Sequence, residues 1–212
     1  CIKDLQRADG YFGGIPSTPF DKAFSGTFNV DRFGLGDWWV PWYSVHKIYA
    51  GLIDAYVLCD NKDALEIVLK MADWAINGSK NMTEEQFQKM LFCEHGGMLK
   101  VYADLYEITK EEKYLLMAER FIHQEIYKPL VKERDRLQGY HANTQIPKII
   151  GLAKLYDLTG KSEYRTAAEY FYNTVLDTRS YSIGGNSIGE HFGPQFEEKL
   201  GRDTCETCNT YN

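Results

Sequence analysis

Basic residues, closely spaced cysteines and long apolar runs are all scarce in this chain, and each scarcity excludes a class of protein. Lys and Arg number 24 against 30 Asp and Glu, which leaves a net charge of −6. That balance gives no basic footprint for nucleic acid. No apolar run approaches the length of a membrane-spanning helix. Five cysteines in 212 residues do not make a disulfide framework. Strand-like alternation is rare. No signal peptide is visible, and the first residue is Cys1 rather than Met. The chain is therefore expected to be a piece of a longer polypeptide.

What is present suits a packed helical protein. Hydrophobic residues make up 44% of the chain, enough for one large domain or two small ones. Cys59 lies in an apolar helical pattern and reads as a small core residue. Tyr, Phe and Trp mostly fall at helical core spacing. The exception is Gly36-Asp37-Trp38-Trp39-Val40-Pro41-Trp42-Tyr43, which has no helical period. Flat rings in a loop can form a sugar platform, although ordinary packing is the expected role.

An internal repeat organises the chain. The stretch Ala103 to Tyr114, ADLYEITKEEKY, matches Ala153 to Tyr164, AKLYDLTGKSEY, at an offset of fifty. The match continues through Ala118 with Ala168 and Phe121 with Phe171, and a fainter copy places Asp54 and Tyr56 against Asp104 and Tyr106. Each copy reads as a helical hairpin, because Tyr164, Ala168, Phe171 and Val175 share one face. Gly160 suits a left-handed helix end, and Thr159 or Ser162 can cap the next start. Thr109 with Glu112, and Thr83 with Gln86, have capping-box spacing. The expected hairpins cover about 42–76, 95–125 and 146–177, with loop-rich segments at 1–40 and 178–212. Hairpins cannot bury their apolar faces alone, so an all-α stack or part of an (α/α)6 barrel is expected.

Three of the five histidines open the hairpins: His46, His95 and His141. Pro41 and Pro147 fit near helix starts, where a missing N–H is harmless. Equivalent positions in a repeat share a rim, so the three imidazoles are expected to converge on one face. His123, mid-pattern on a helix, reads as structural. Asn143, Thr144 and Gln145 add groups that suit a polyhydroxylated ligand. In the Gly-rich stretch 182–200, Glu190 sits between Gly189 and His191, as a proton donor at a pocket rim could. Glu197 and Glu198 read as solvated charges. Cys205, Glu206 and Cys208 have three readings: a redox pair, a structural metal site, or a site completed beyond Asn212. The βαβ setting of a redox pair is missing, and spacing alone does not choose.

Five stretches occur in order: VPWYSVHKIYAGLIDAY, EHGGMLKVYADLYEIT, GYHANTQIPKIIGLAKLYDLTG, SIGEHF and CETCNTYN. Together, over about Asp9 to Asn212, they resemble glycoside hydrolase family 127, the β-L-arabinofuranosidase-like group, and its relative family 146. The resemblance implies an (α/α)6 catalytic barrel followed by β-sandwich domains not contained here. It implies a retaining glycosidase whose cysteine thiolate nucleophile is held on Zn²⁺ by one glutamate and three cysteines. By motif, Glu206 and Cys208 match the first two zinc ligands, Glu190 the acid/base, and His46, His95 and His141 the sugar contacts. Cys205 is left a supporting or spectator role. The implied substrate is carbohydrate, in arabinose-containing plant glycans, with the periplasm or cell exterior favoured over the cytoplasm. No cysteine follows Cys208, so the zinc site and nucleophile are incomplete here and the chain alone is expected to be inactive. The competing expectations are a zinc-free (α/α)-barrel hydrolase or lyase, and a non-catalytic helical-repeat scaffold.

Overall fold

A computed structural model describes residues 2–182 and 184–197. The chain forms two compact units, Cys1–Phe121 and Ile122–Asn212, and each is described by itself. The first unit runs α1 (Ile2–Leu5), α2 (Thr18–Phe24), β1 (Gly34–Leu35), β2 (Trp38–Trp39), α3 (Pro41–Cys59), α4 (Lys62–Ser79), α5 (Glu84–Met90), α6 (Met98–Thr109) and α7 (Glu112–Arg120). The second contains α8 (Gln124–Val131), α9 (Ala142–Thr159) and α10 (Ser162–Arg179). The architecture is helical, with a single short antiparallel ribbon of β1 and β2 among the described residues. No helix among the described residues is long and apolar enough to cross a membrane.

The fifty-residue period is visible in the backbone. Helices α3, α6 and α9 end at Cys59, Thr109 and Thr159, and their partners begin at Lys62, Glu112 and Ser162. Each two-residue connection opens with a left-handed residue: Asp60 at φ 52°, Lys110 at 61° and Gly160 at 69°. The amides of Lys110 and Gly160 donate to the carbonyls of Tyr106 and Tyr156, both at 2.8 Å, which satisfies one of the last orphan acceptors of each helix. The turn then reverses the chain and packs α3 on α4, α6 on α7 and α9 on α10.

The repeat also corrects several local expectations. Thr109 and Thr159 do not cap the following helices. Each hydroxyl donates back to the carbonyl four residues earlier, Leu105 or Leu155, at 2.7 Å, and accepts the amide two residues on. The N-caps are Glu111 and Lys161, neither with a side-chain cap bond, so the Thr109–Glu112 capping box does not form. The one at Thr83 and Gln86 does. Cys59 is exposed rather than buried, because it holds the helix-end position of Thr109 and Thr159 in the first copy. Pro147 lies inside α9, with the helix start earlier, at His141. Segment 1–40, expected to be loop, contains α1, α2 and the ribbon. The hairpin expected at 95–125 stops at Arg120, and His123 caps the separate helix α8 instead of lying mid-helix.

The core of the first unit is aromatic. Trp42 is fully buried, 4.7 Å centroid to centroid from Phe20 and edge-on to Phe121 at 5.4 Å. Its indole N–H donates to Met90 Sδ at 3.2 Å, so the polar end is satisfied. Trp38 and Trp39 are exposed, and Trp39 stacks on Phe33 at 5.0 Å. The Trp run therefore divides: its last member packs the core and the others stand on the surface. Tyr49 and Tyr102 donate to the α4 carbonyls of Met71 and Ala72, pinning α3 and α6 to α4. In the second unit Tyr164, Ala168, Phe171 and Val175 are buried, as the shared face requires.

The left-handed turn makes an opposed pair of predictions. No atom lies within 4 Å of a Cβ added at Gly160, so Gly160→Ala meets only the backbone penalty, about 1 kcal/mol. Lys110→Gly relieves the same strain and is expected to gain up to about 1 kcal/mol. Thermal unfolding of both variants checks the signs, which should be opposite.

Candidate active site

In the first unit the expected site residues are His46 and His95. His46 lies on the second turn of α3, which Pro41 opens at its first position. Its ring meets Tyr43 edge-on at 5.9 Å. The backbone of Gly96 and Gly97, directly after His95, covers the imidazole. A Cβ on Gly96 would lie 2.6 Å from His46 Nδ1, and one on Gly97 2.8 Å from Nε2. Only glycines allow this seat. His46 Nδ1 is buried and has no hydrogen-bond partner among the described residues. Burial, then Lys47 and Lys100, pushes the imidazole down to about 4, so it is neutral near pH 7. His95 is buried, and its Nδ1 donates to the Cys93 carbonyl at 3.0 Å, which in a neutral ring leaves Nε2 as the acceptor nitrogen.

In the second unit the structure brings His141 and Glu190 together, with His141 Nε2 3.5 Å from Glu190 Oε2. His141 is the N-cap of α9. Its Nδ1 accepts from the Thr144 amide at 3.2 Å and the Thr144 hydroxyl at 2.7 Å. A nitrogen that accepts carries no proton, so the neutral ring keeps its proton on Nε2, facing the carboxylate. Glu190 stands at the tip of a two-residue turn. Ile188 and His191 exchange backbone hydrogen bonds of 2.8 and 3.1 Å. Gly189 at φ 52° and Glu190 at 64° supply the two positive φ values of a type I′ turn. The turn is docked on α9: Glu190 O accepts from the Ala142 amide at 2.8 Å, Phe192 N donates to Tyr140 O, and Gly139 N donates to Phe192 O. The Glu190 side chain is 60% exposed.

His191 and Lys148, which sequence reasoning passed over, and Gln145, which it singled out, adjoin this site. The His191 ring meets His141 edge-on at 5.5 Å, and its Nδ1 donates to the Gly189 carbonyl at 2.6 Å. Its place beside Glu190 in a Gly-led turn was the available signal. Gln145 and Lys148 follow His141 at i+4 and i+7 on α9, and all three are buried. Lys148 Nζ donates to Gln145 Oε1 at 3.0 Å and to His123 Nδ1 at 2.9 Å. This orients the Gln145 amide, whose Nε2 faces the His141 carbonyl at 3.4 Å.

Glu206 and Cys208, the expected metal ligands, lie outside the described residues, as do Cys205, Cys1 and Glu198. The chemistry of one carboxylate and one thiol suits zinc. Among the described residues no group of three or more His, Cys, Asp or Glu could hold a metal ion.

The described helices make an all-α helical-hairpin fold, with an imidazole–carboxylate pair at the N-terminus of α9. A family model described as "Beta-L-arabinofuranosidase, GH127 catalytic domain" matches residues 1–212, and the chain belongs to that family. Among solved structures it is similar to a GH127 β-arabinofuranosidase, with a TM-score of 0.59 and 18% identity. That likeness covers 98% of this chain and 42% of the other, so the chain spans less than half the length of that neighbour. Comparison with curated proteins returns no significant match.

Two predictions follow from the geometry. Replacing Glu190 by Gly removes the left-handed strain of a β-carbon-bearing residue, so Glu190→Gly is expected to raise stability by about 1 kcal/mol, read by denaturant unfolding. For His46 the unfolded ring takes its proton near pH 6.5, whereas the folded ring waits until about 4. The unfolded state therefore binds more protons between those values, and stability falls as pH drops through that window. His46→Gln should remove a loss on the order of 2 kcal/mol, so unfolding at pH 7 and pH 4.5 should differ less in the variant than in the parent.

Proposed function

We propose that the protein is part of the (α/α)6-barrel catalytic domain of a retaining glycoside hydrolase acting on β-L-arabinofuranosides of plant glycans, with Glu190 as its acid/base. The observation that carries this reading is the placement of Glu190. Its carboxylate is aimed into solvent at the tip of a docked turn, with the proton-bearing nitrogen of His141 3.5 Å away. Family membership supports the reaction class.

The residues divide the work as follows. His46, His95 and His141 contact the sugar. Neutral imidazoles suit that role, since each offers a donor or acceptor to a hydroxyl without the desolvation penalty of a buried charge. Glu190 gives its proton to the glycosidic oxygen as the bond to the anomeric carbon breaks, so the alcohol departs neutral. In the second displacement it takes a proton from the incoming water, and the sugar is released with retained configuration. His141 Nε2–H stabilises the carboxylate between those transfers. The nucleophile is a cysteine thiolate outside the present sequence, with Glu206 and Cys208 as two of the Zn²⁺ ligands. When bound, zinc would lower thiol pKa values and so maintain thiolate at neutral pH. Such an enzyme would work in the periplasm or outside the cell.

In the intact protein, Glu190→Gln should lower kcat on an aryl β-L-arabinofuranoside by about 10²- to 10⁴-fold while the unfolding midpoint is kept. Zinc chelation should abolish turnover as well. Unchanged turnover in the variant would remove Glu190 from the chemistry, and full activity with metal-free protein would remove zinc.

A further inference from the structure

His141 and Glu190 belong to different segments, and something must fix their separation. The backbone ladder between 139–142 and 190–192 is short. Beyond it, both segments converge on one side chain, Arg179, the last residue of α10. Arg179 Nε donates to the Gly193 carbonyl at 2.9 Å, on the strand that leaves the Glu190 turn. Its Nη2 donates to Asp135 Oδ2 at 2.6 Å, on the segment that leads into His141. Gln195 Nε2 donates to the same oxygen at 2.6 Å, and Asp135 Oδ1 accepts the Leu137 amide at 2.9 Å. The Arg179 side chain is 3% exposed and that of Asp135 17%. Burial acts to raise the Asp135 carboxyl, but the Leu137 amide and the Arg179 guanidinium outweigh it and hold the group below its usual range. The clamp borders a polar cavity of about 700 Å³ lined by Arg136, Gln138 and Gly139 besides its own members.

We propose that Arg179, held by Asp135, is a positioning residue for Glu190: one guanidinium fork sets the approach of the acid/base segment to the His141 segment. The inference rests on the reading of Glu190 as acid/base. A planar fork is needed because two acceptors on different segments must be met at once, with fixed angles. A lysine at the same place supplies a charge but cannot span both with that geometry.

The test uses leaving groups in the intact protein. An acid that is misplaced by a fraction of an ångström protonates a poor leaving group badly, but an activated aryloxide departs without its help. The ratio kcat/KM reports this first bond-breaking step. With an alkyl or sugar leaving group, Arg179→Lys should lower kcat/KM about 10- to 100-fold, whereas with a dinitrophenyl leaving group the change should stay within about 3-fold. Asp135→Asn, which keeps the volume and the Leu137 acceptor, should shift the same ratio in the same direction. It carries the comparison if Arg179→Lys does not fold. Equal losses on both substrates, or none on either, would overturn the proposal, because a merely structural clamp has no leaving-group preference. Glu190→Gln is the control. If it too lacks leaving-group dependence, the acid/base reading itself fails; if it shows the dependence and the Arg179 variant does not, only the clamp fails.

Discussion

The hydrogen bond from the Ala142 amide to the Glu190 carbonyl is the constraint on which the second unit's site depends. A helix leaves its first amides without intrahelical partners. In α9 one of these is met by the carbonyl of Glu190, and another by the imidazole of the capping His141. The same helix start therefore orders both members of the pair, through the main chain of one and the ring of the other. This couples the placement of Glu190 to folding in a specific way. The turn cannot drift from His141 without uncovering a helix amide, which costs about 1–3 kcal/mol if the amide is buried.

The helices that hold this arrangement are products of the repeat. A two-residue connection with a left-handed first residue returns each chain segment against its predecessor at a set register. The register places Tyr114 and Tyr164, Ala118 and Ala168, and Phe121 and Phe171 in buried positions of both copies. Aromatic residues form a connected cluster in the core of the first unit, and the Tyr49 and Tyr102 hydroxyls are tied to helix carbonyls. The segments before α6 and α9 carry His95 and His141, while His46 lies inside α3. Variation in those segments does not disturb the apolar faces.

Much of this was legible in the sequence, because it is local or periodic. The three hairpins, the left-handed end at Gly160 and the cap at Thr83 follow from spacing and residue type. The exposure of Cys59 was also implied by the fifty-residue register, but the apolar pattern of α3 hid it. Boundaries slipped where punctuation was missing or misleading. Phe121, Ile122 and His123 contain no Gly or Pro, so the break between α7 and α8 left no mark. Pro147 looked like a helix start but lies a turn and a half inside. Glu190 and the three histidines stand out by motif as candidates only. Their pairing was not legible, since the ladder from 139–142 to 190–192 joins segments about fifty residues apart through main-chain atoms. Arg179 was invisible for the same reason: its role lies in carbonyl and carboxylate partners on two distant segments.

Positive φ by itself does not mark a functional residue, and this chain shows how to separate the cases. Asp60 and Lys110 are left-handed because the hairpin turn requires it, and Gly160 fills the same position in the third copy. Glu133 is left-handed just past the end of α8, where its amide returns to Leu130 O. Helix termination accounts for all of these. Glu190 ends no helix and belongs to no repeat. Its turn needs two left-handed residues, and the first of them is already glycine. A second glycine would satisfy the backbone with less strain, so the turn alone does not explain a glutamate. The explanation has to come from the side chain, which this backbone holds in solvent beside the protonated nitrogen of His141. The modest strain is best understood as the consequence of placing a carboxylate where the backbone by itself favours glycine.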